Sequence, residues 1–352
     1  MIYRHLCSFI CLAILGYCAS SASAAVIYSD SLDTTASASN YNTFITAGST
    51  GPSGDATFGY DYGAAPGSGG LAIPVAPHTT GTSTTGLRLR TDNLQSSVGT
   101  VVGATVVSSK TLSLPSSYQV QVDVWSNYIG GNTTGTGLAS SGSNGSTGVA
   151  VGVGTAGTSI QYLNVTNDGL QVEAFGDNGG GADGAYRVYT GMTSPRPTPT
   201  NSSYYAAGTT AGSATFSNAY YTSAYPSVSA PAGQVSFAST QQGTTPAGVQ
   251  GFAWHTWLVT NDTQNINWYI DGKLITSVPT SAVTLAGQQV SLANIDTGLT
   301  GNSAANNQLL NAEIFDNLTV SDFPAVPEPA SCMLVALSVA AVGLVSRRRR
   351  GA

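Results

Sequence analysis

The chain has 352 residues, of which 42 are glycine, 15 are proline and only 8% are charged. That is far below the roughly 25% of an ordinary soluble domain, and it excludes a helical bundle, whose wet faces need many lysines and glutamates. A net charge of −6, from 11 basic and 17 acidic residues, leaves no nucleic-acid footprint, and with cysteines only at Cys7, Cys11, Cys18 and Cys332 the intervening chain has no disulfide framework.

Residues 1–24 read as a secretory signal peptide. Arg4 supplies the positive start, Leu6 to Tyr17 is mostly apolar, and Ala22-Ser23-Ala24 fits the small-residue cleavage pattern. The apolar stretch is predicted to be a signal helix, too short to span a bilayer. The body, 25–325, carries 6 basic and 16 acidic residues, a net charge of −10, so the positive charge lies largely in the two end segments. It is long enough to bury a sizeable core.

Period-two alternation recurs along the body. From Tyr118 to Val124, the side chains of Tyr118, Val120, Val122 and Val124 face one way, and Gln119, Gln121 and Asp123 the other. Gly148 to Val153 and Leu170 to Ala174 are further strand candidates. A run from Trp254 to Thr260 leads to a turn at Asn261-Asp262-Thr263. Ile266 to Ile270 then ends in Asp271-Gly272, a strong hairpin signal, and Lys273 to Ile275 returns. Ala312 to Val320 reads as the closing strand. Ile129 to Thr147 and Thr193 to Gln250 read as long loops rich in Gly, Ser and Thr. Helical periodicity is not sustained anywhere. The expected fold is all-β, a single β-sandwich or jelly roll.

Several constellations could carry chemistry. Asp30 and Asp33 near the start of the body, and Asp316 and Asn317 on the closing strand, could meet if the first and last strands pair, and would then offer oxygen ligands to a structural Ca²⁺. Tyr204, Tyr205, Tyr220 and Tyr221 crowd the second long loop and could form an aromatic platform for carbohydrate. Glycoside hydrolysis needs two nearby carboxylates. The body has just two glutamates, Glu173 and Glu313, about 140 residues apart, and no aspartate cluster suited to the task. His78 and His255 are too few for a zinc centre. His255 reads as a structural histidine, and the four tryptophans as core.

Val326-Pro327-Glu328-Pro329 precedes an apolar run predicted as a transmembrane helix over 330–346, followed by Arg347-Arg348-Arg349-Arg350. The helix would be about 25 Å long at about 1.5 Å per residue, enough to span with local thinning. The four arginines would hold its far end in the cytoplasm, leaving the body outside. This three-part tail over 326–352 resembles the PEP-CTERM sorting signal. The resemblance implies that an exosortase-type membrane peptidase acts near Pro327-Glu328-Pro329. It further implies a transient stay in the inner membrane, then a place on the surface of, or outside, a bacterium that makes exopolysaccharide.

The hairpin Trp254-His255-Thr256-Trp257 through Tyr269-Ile270-Asp271-Gly272 looks like those of concanavalin-like and laminin-G-like sandwiches. The segments Phe58-Gly59-Tyr60-Asp61-Tyr62, Gly184-Ala185-Tyr186-Arg187-Val188-Tyr189 and Phe315-Asp316-Asn317-Leu318 resemble uncharacterised PEP-CTERM proteins. The first expectation is therefore a non-enzymatic exported surface or matrix protein with no nucleic-acid partner. A carbohydrate-binding module, with the cell's own exopolysaccharide as a candidate ligand, is the alternative. An unusual glycoside hydrolase is the third.

Overall fold

The computed structural model describes residues 24–48, 51–52, 54–91, 101–109, 114–128, 146–161, 168–175, 185–191, 202–210, 213–238, 241, 244–297 and 309–322. A compact unit runs from Val26 to Asp322. The expected signal helix, the Val326–Pro329 motif, the 330–346 helix and Arg347 to Arg350 lie outside the described residues, as does most of the 129–147 loop. Among the described residues, no helix is long and apolar enough to cross a membrane.

The strands, in chain order, are β1 Val26–Asp30, β2 Tyr41–Ile45, β3 Ala47–Gly48, β4 Gly51–Pro52, β5 Gly54–Asp61, β6 Thr85–Thr91, β7 Val101–Ser108, β8 Tyr118–Asn127 and β9 Ser146–Thr155. They continue as β10 Leu170–Phe175, β11 Tyr186–Tyr189, β12 Thr209–Thr210, β13 Ser213–Ala214, β14 Trp254–Asn261, β15 Asn265–Ile270, β16 Lys273–Pro279, β17 Gln289–Thr297 and β18 Ala312–Asp322. Sheet one has the order β16-β15-β14-β8-β18-β6-β5, with β1 also paired to β18; sheet two has the order β12-β13-β11-β10-β9-β17-β7-β2. The pairings within both are antiparallel, so the molecule is an all-β sandwich. Val26 pairs with Ser321, which places the entry and exit of the compact unit side by side.

The alternation from Tyr118 to Val124 points where the pattern says. Val120, Val122 and Val124 of β8 bury into the inter-sheet core with Val149, Val151 and Val153 of β9. Trp257 and Trp268 lie fully buried there, ring centroids 4.8 Å apart. Such tilted pairs add about 0.5–1.5 kcal/mol beyond the burial itself. The Asp271-Gly272 turn forms as expected. Both residues have positive φ, 49° and 75°, which the right-handed twist of a two-residue hairpin requires.

Two features depart from a plain sandwich. The outer face of sheet one is partly covered: Trp125 and Ile314 pack there with Leu71, Ile73, Phe252 and Ala230 in a second small core. On sheet two, every residue of β10 is buried, so both faces of that strand are covered. The 193–250 region, read as loop, contains two short helices in its described parts, Ala219–Thr222 and Ala232–Phe237.

Candidate functional site

The polar centre of the molecule lies on the outer face of sheet one, around Asp123. The alternation points Asp123 outward, yet it is fully buried. The segment after β5 folds over it. His78 donates its backbone N–H to Asp123 Oδ2 at 3.0 Å, and its ring Nδ1 lies 2.8 Å from Oδ1. A carboxylate only accepts, so Nδ1 carries the hydrogen and Nε2 is left on the solvent side. Thr256 Oγ1 donates to Asp123 Oδ1 at 3.1 Å, and Asn317 Nδ2 donates to Oδ2 at 3.0 Å.

Asp316 is the cross-strand neighbour of Asp123. Its Oδ2 accepts from Tyr62 OH at 2.9 Å and Thr79 Oγ1 at 3.2 Å; its Oδ1 accepts from the Asn317 N–H at 2.8 Å. A one-residue bulge follows, because three steps on β18 (Asp316 to Thr319) answer two on β8 (Asp123 to Gln121). Asn317 takes the extra step with φ 54°, a left-handed conformation that asparagine tolerates. This turns its amide between Asp123 and Thr79 Oγ1, the latter 2.9 Å away. Burial pushes the Asp316 carboxyl up to about 7; its three donors oppose the shift, and the nearby Asp123 charge adds to it. The cluster is a latch: Tyr62, His78 and Thr79 tie the covering segment to the sheet through two side-by-side carboxylates.

The predicted Ca²⁺ set does not assemble. β1 and β18 pair as expected, and Asp30 sits opposite Leu318. However, the Asp30 carboxylate accepts from the Leu32 N–H, Ser37 Oγ, Asn40 Nδ2 and Tyr28 OH, and so caps its own loop. Asp33 accepts from Ser31 Oγ. Asp316 and Asn317 come together with Asp123, not with Asp30 or Asp33. Among the described residues, no group of three His, Cys, Asp or Glu side chains is arranged to hold a metal ion.

The tyrosine platform is also corrected. Tyr221 is fully buried and donates to Ala207 O; Tyr205 is buried and accepts from the Val188 N–H. Tyr220 is half-buried, its OH on Leu274 O and Lys273 Nζ 3.7 Å from its ring centre, while Tyr204 packs against the core. Tyr205 and Tyr221 fold into the core against β11, and Tyr220 against β16, because the hydroxyls of all three find a backbone partner, which removes the cost of burying them. His255 is structural as expected, with its Nδ1 2.6 Å from Asp271 Oδ2. Burial would raise the Asp271 carboxyl, but His255 and the Thr256 N–H outweigh it and hold it below its ordinary range.

Glu173 and Glu313 lie on different sheets. Glu173 is buried on β10 opposite Arg187, and Glu313 is buried on β18, accepting from Ser126 Oγ at 2.9 Å.

Beside the latch, sheet one keeps an open surface that sequence reasoning did not single out. One cross-strand row runs Tyr269, Leu258, Gln121, Thr319, and the next runs Asn267, Thr260, Gln119, Ser321. Tyr269, Leu258, Gln121, Thr319, Asn267 and Gln119 are partly exposed, while Thr260 and Ser321 are buried between them. The signal was present as the polar half of each alternating strand, which reads equally well as ordinary wet surface. Neither row contains a formal charge.

The chain matches no known protein family and no curated protein. Among solved structures it is similar to the Emp47p carbohydrate recognition domain, at 12% identity over 86% of this chain and 99% of that one, with a TM-score of 0.39. A galectin-like protein of unknown function from Bacillus subtilis is 8% identical over 85% and 96%, TM-score 0.39. An endo-β-galactosidase from Clostridium perfringens that releases GlcNAcα1-4Gal is 11% identical over 86% and 64%, TM-score 0.41.

Proposed function

We propose that this chain is an exported, non-enzymatic cell-surface or matrix protein whose sandwich holds a neutral polysaccharide, such as the exopolysaccharide of its own cell. Export rests on the signal-like start and on the PEP-CTERM-like tail, through which an exosortase-type peptidase would release the body after a transient stay in the inner membrane. The side-by-side entry and exit of the compact unit suit a domain displayed from one tether.

The observation that carries the binding role is the pair of uncharged rows around Tyr269, Leu258 and Gln121 on the outer face of sheet one. Sugar hydroxyls both donate and accept, and carboxamides such as Gln119, Gln121 and Asn267 match them in both directions. The Tyr269 ring offers an apolar face beside them for the C–H side of a sugar. A passive role fits the placement of the carboxylates: Glu173 and Glu313 are buried on separate sheets, and the paired Asp123 and Asp316 are buried and accept from the segment that covers them, whereas hydrolysis needs two carboxylates facing one bond.

A neutral glycan array, followed by titration of the full chain with the best oligosaccharide, tests this reading. Tyr269→Ala and Gln121→Ala should each weaken binding by about tenfold, the worth of one ring contact or hydrogen bond. Absence of any neutral glycan ligand, or unchanged binding by both variants, would remove the proposal.

A further inference from the structure

A separate cluster lies at the other side of sheet one, on β5 and β6. Arg88 and Arg90 are two of the body's 6 basic residues, and both converge on one carboxylate. Arg88 NH2 lies 3.1 Å from Asp55 Oδ1, and Arg90 NH2 lies 2.5 Å from Asp55 Oδ2. Two guanidinium groups on one aspartate leave a net charge of +1 in a body of net charge −10. The cluster is partly exposed: Arg90 and Asp55 reach solvent, with side-chain exposures of 27% and 32%, while Arg88 is 13% exposed and lies deeper. Arg88 stacks over the ring of Tyr60, 4.4 Å from its centre. That ring is itself more than nine-tenths buried.

Among the described residues, three polar groups of this cluster have no hydrogen-bond partner: the Tyr60 hydroxyl, Arg88 Nε and Arg90 Nε. The two nitrogens can only donate, and the hydroxyl is free to donate. Buried donors without acceptors are costly, and natural proteins rarely leave several together. Asp55 is the one carboxylate shared by two guanidinium groups, so one positive charge of the cluster has no counter-charge of its own.

We propose that the Arg88–Arg90–Tyr60 cluster is an oxyanion site that takes the carboxylate or sulfate ester of an acidic sugar unit. A guanidinium fork matches a planar carboxylate through two parallel hydrogen bonds, and it also accepts a tetrahedral oxyanion. Asp55 preorganises both arginines and competes with the ligand for their N–H groups. The site is independent of the neutral face around Tyr269, so either can fail without the other.

The test is titration of the full chain, followed by NMR or calorimetry, with trigalacturonate, a sulfated disaccharide, inorganic sulfate and neutral cellotriose. The expected result is that one or both acidic sugars bind, and that binding weakens as salt rises. Arg90→Gln weakens it by about tenfold and Tyr60→Phe by a few-fold, whereas Asp55→Asn tightens it. Lys273→Gln removes the same charge elsewhere and leaves binding unchanged. The ratio of trigalacturonate to sulfated disaccharide affinity identifies the source of the oxyanion. Tyr60→Phe retains the stacked ring, so a loss there is not a folding defect. No binding of either acidic sugar, inorganic sulfate binding as tightly as the sugars, or acidic-sugar binding indifferent to Arg90→Gln and Tyr60→Phe would overturn the proposal.

Discussion

Asp123→Ala is expected to cost about 3–5 kcal/mol of folding stability, the size of effect that follows when one partner is removed from a buried charged network. The carboxylate is fully buried and accepts from four groups: the His78 N–H, His78 Nδ1, Thr256 Oγ1 and Asn317 Nδ2. Alanine leaves all of these without their acceptor at once. Orphaned donors cost about 1–3 kcal/mol each when they cannot reach water. His78, at the surface, can find water, so the loss should fall short of the full sum. The local consequence is specific. The segment from Tyr62 to Thr79 loses half of its latch, and its amide hydrogens should exchange faster than those of β8 and β14. Urea unfolding with hydrogen exchange checks both points. A loss under about 1 kcal/mol, with exchange in that segment unchanged, would show that the apolar contacts of Leu71 and Ile73 hold it unaided.

The second large effect is a pH dependence set by Asp316. Its carboxyl is raised in the folded state to about 7, from the usual 3.8, chiefly by burial. In the unfolded chain it ionises near pH 4, while in the folded chain it resists ionising until near neutrality. Its contribution to stability is therefore fully present below about pH 4, falls as pH rises to about 7, and is level above that. The fall is on the order of 2–4 kcal/mol, since each tenfold weakening of the acid on folding is worth about 1.4 kcal/mol. Asp316→Asn imitates the neutral form. The variant should match the parent near pH 4 and become progressively more stable than it toward pH 8, with a flatter profile between. Removing Asp123 also removes a neighbouring negative charge, so Asp123→Ala should lower the Asp316 midpoint as well. Unfolding midpoints from pH 4.5 to 8 read this directly. An unchanged slope in Asp316→Asn would contradict the assignment.

How much of this was legible depended on one-sided burial. The first half of strand β8 and the β14–β15–β16 hairpin were readable because one side of each is core and the other is partly exposed. β7 is buried on both sides from Val102 to Ser108, so it carries no alternation to find, whereas β10, equally buried, was still marked by the alternation from Leu170 to Ala174. β6 does alternate, Leu87 and Leu89 inward with Arg88 and Arg90 outward, but it is short and embedded in turn-rich sequence. The candidate site was half legible. Asp316 and Asn317 stood out on the closing strand. Their true partners, Asp123 and His78, are 45 residues apart from one another, and His78 lies in a segment with no periodicity. The bulge at Asn317 decides where its amide points, and no spacing rule announces it. The tyrosines misled for a related reason: a ring with one hydroxyl serves a platform or a core equally well, and only the backbone groups within reach choose between them.

Everything proposed for this sandwich requires that it work outside the cell, delivered by its two ends. The direct measurement is the intact mass of the native protein recovered from cell surface and culture medium. The expected species begins near Ala25 and ends close to Pro327-Glu328-Pro329, without the arginine cluster, and it disappears from those fractions when Glu328 is replaced by alanine. A full-length species in the cytosol, carrying both Met1 and Arg350, would contradict it.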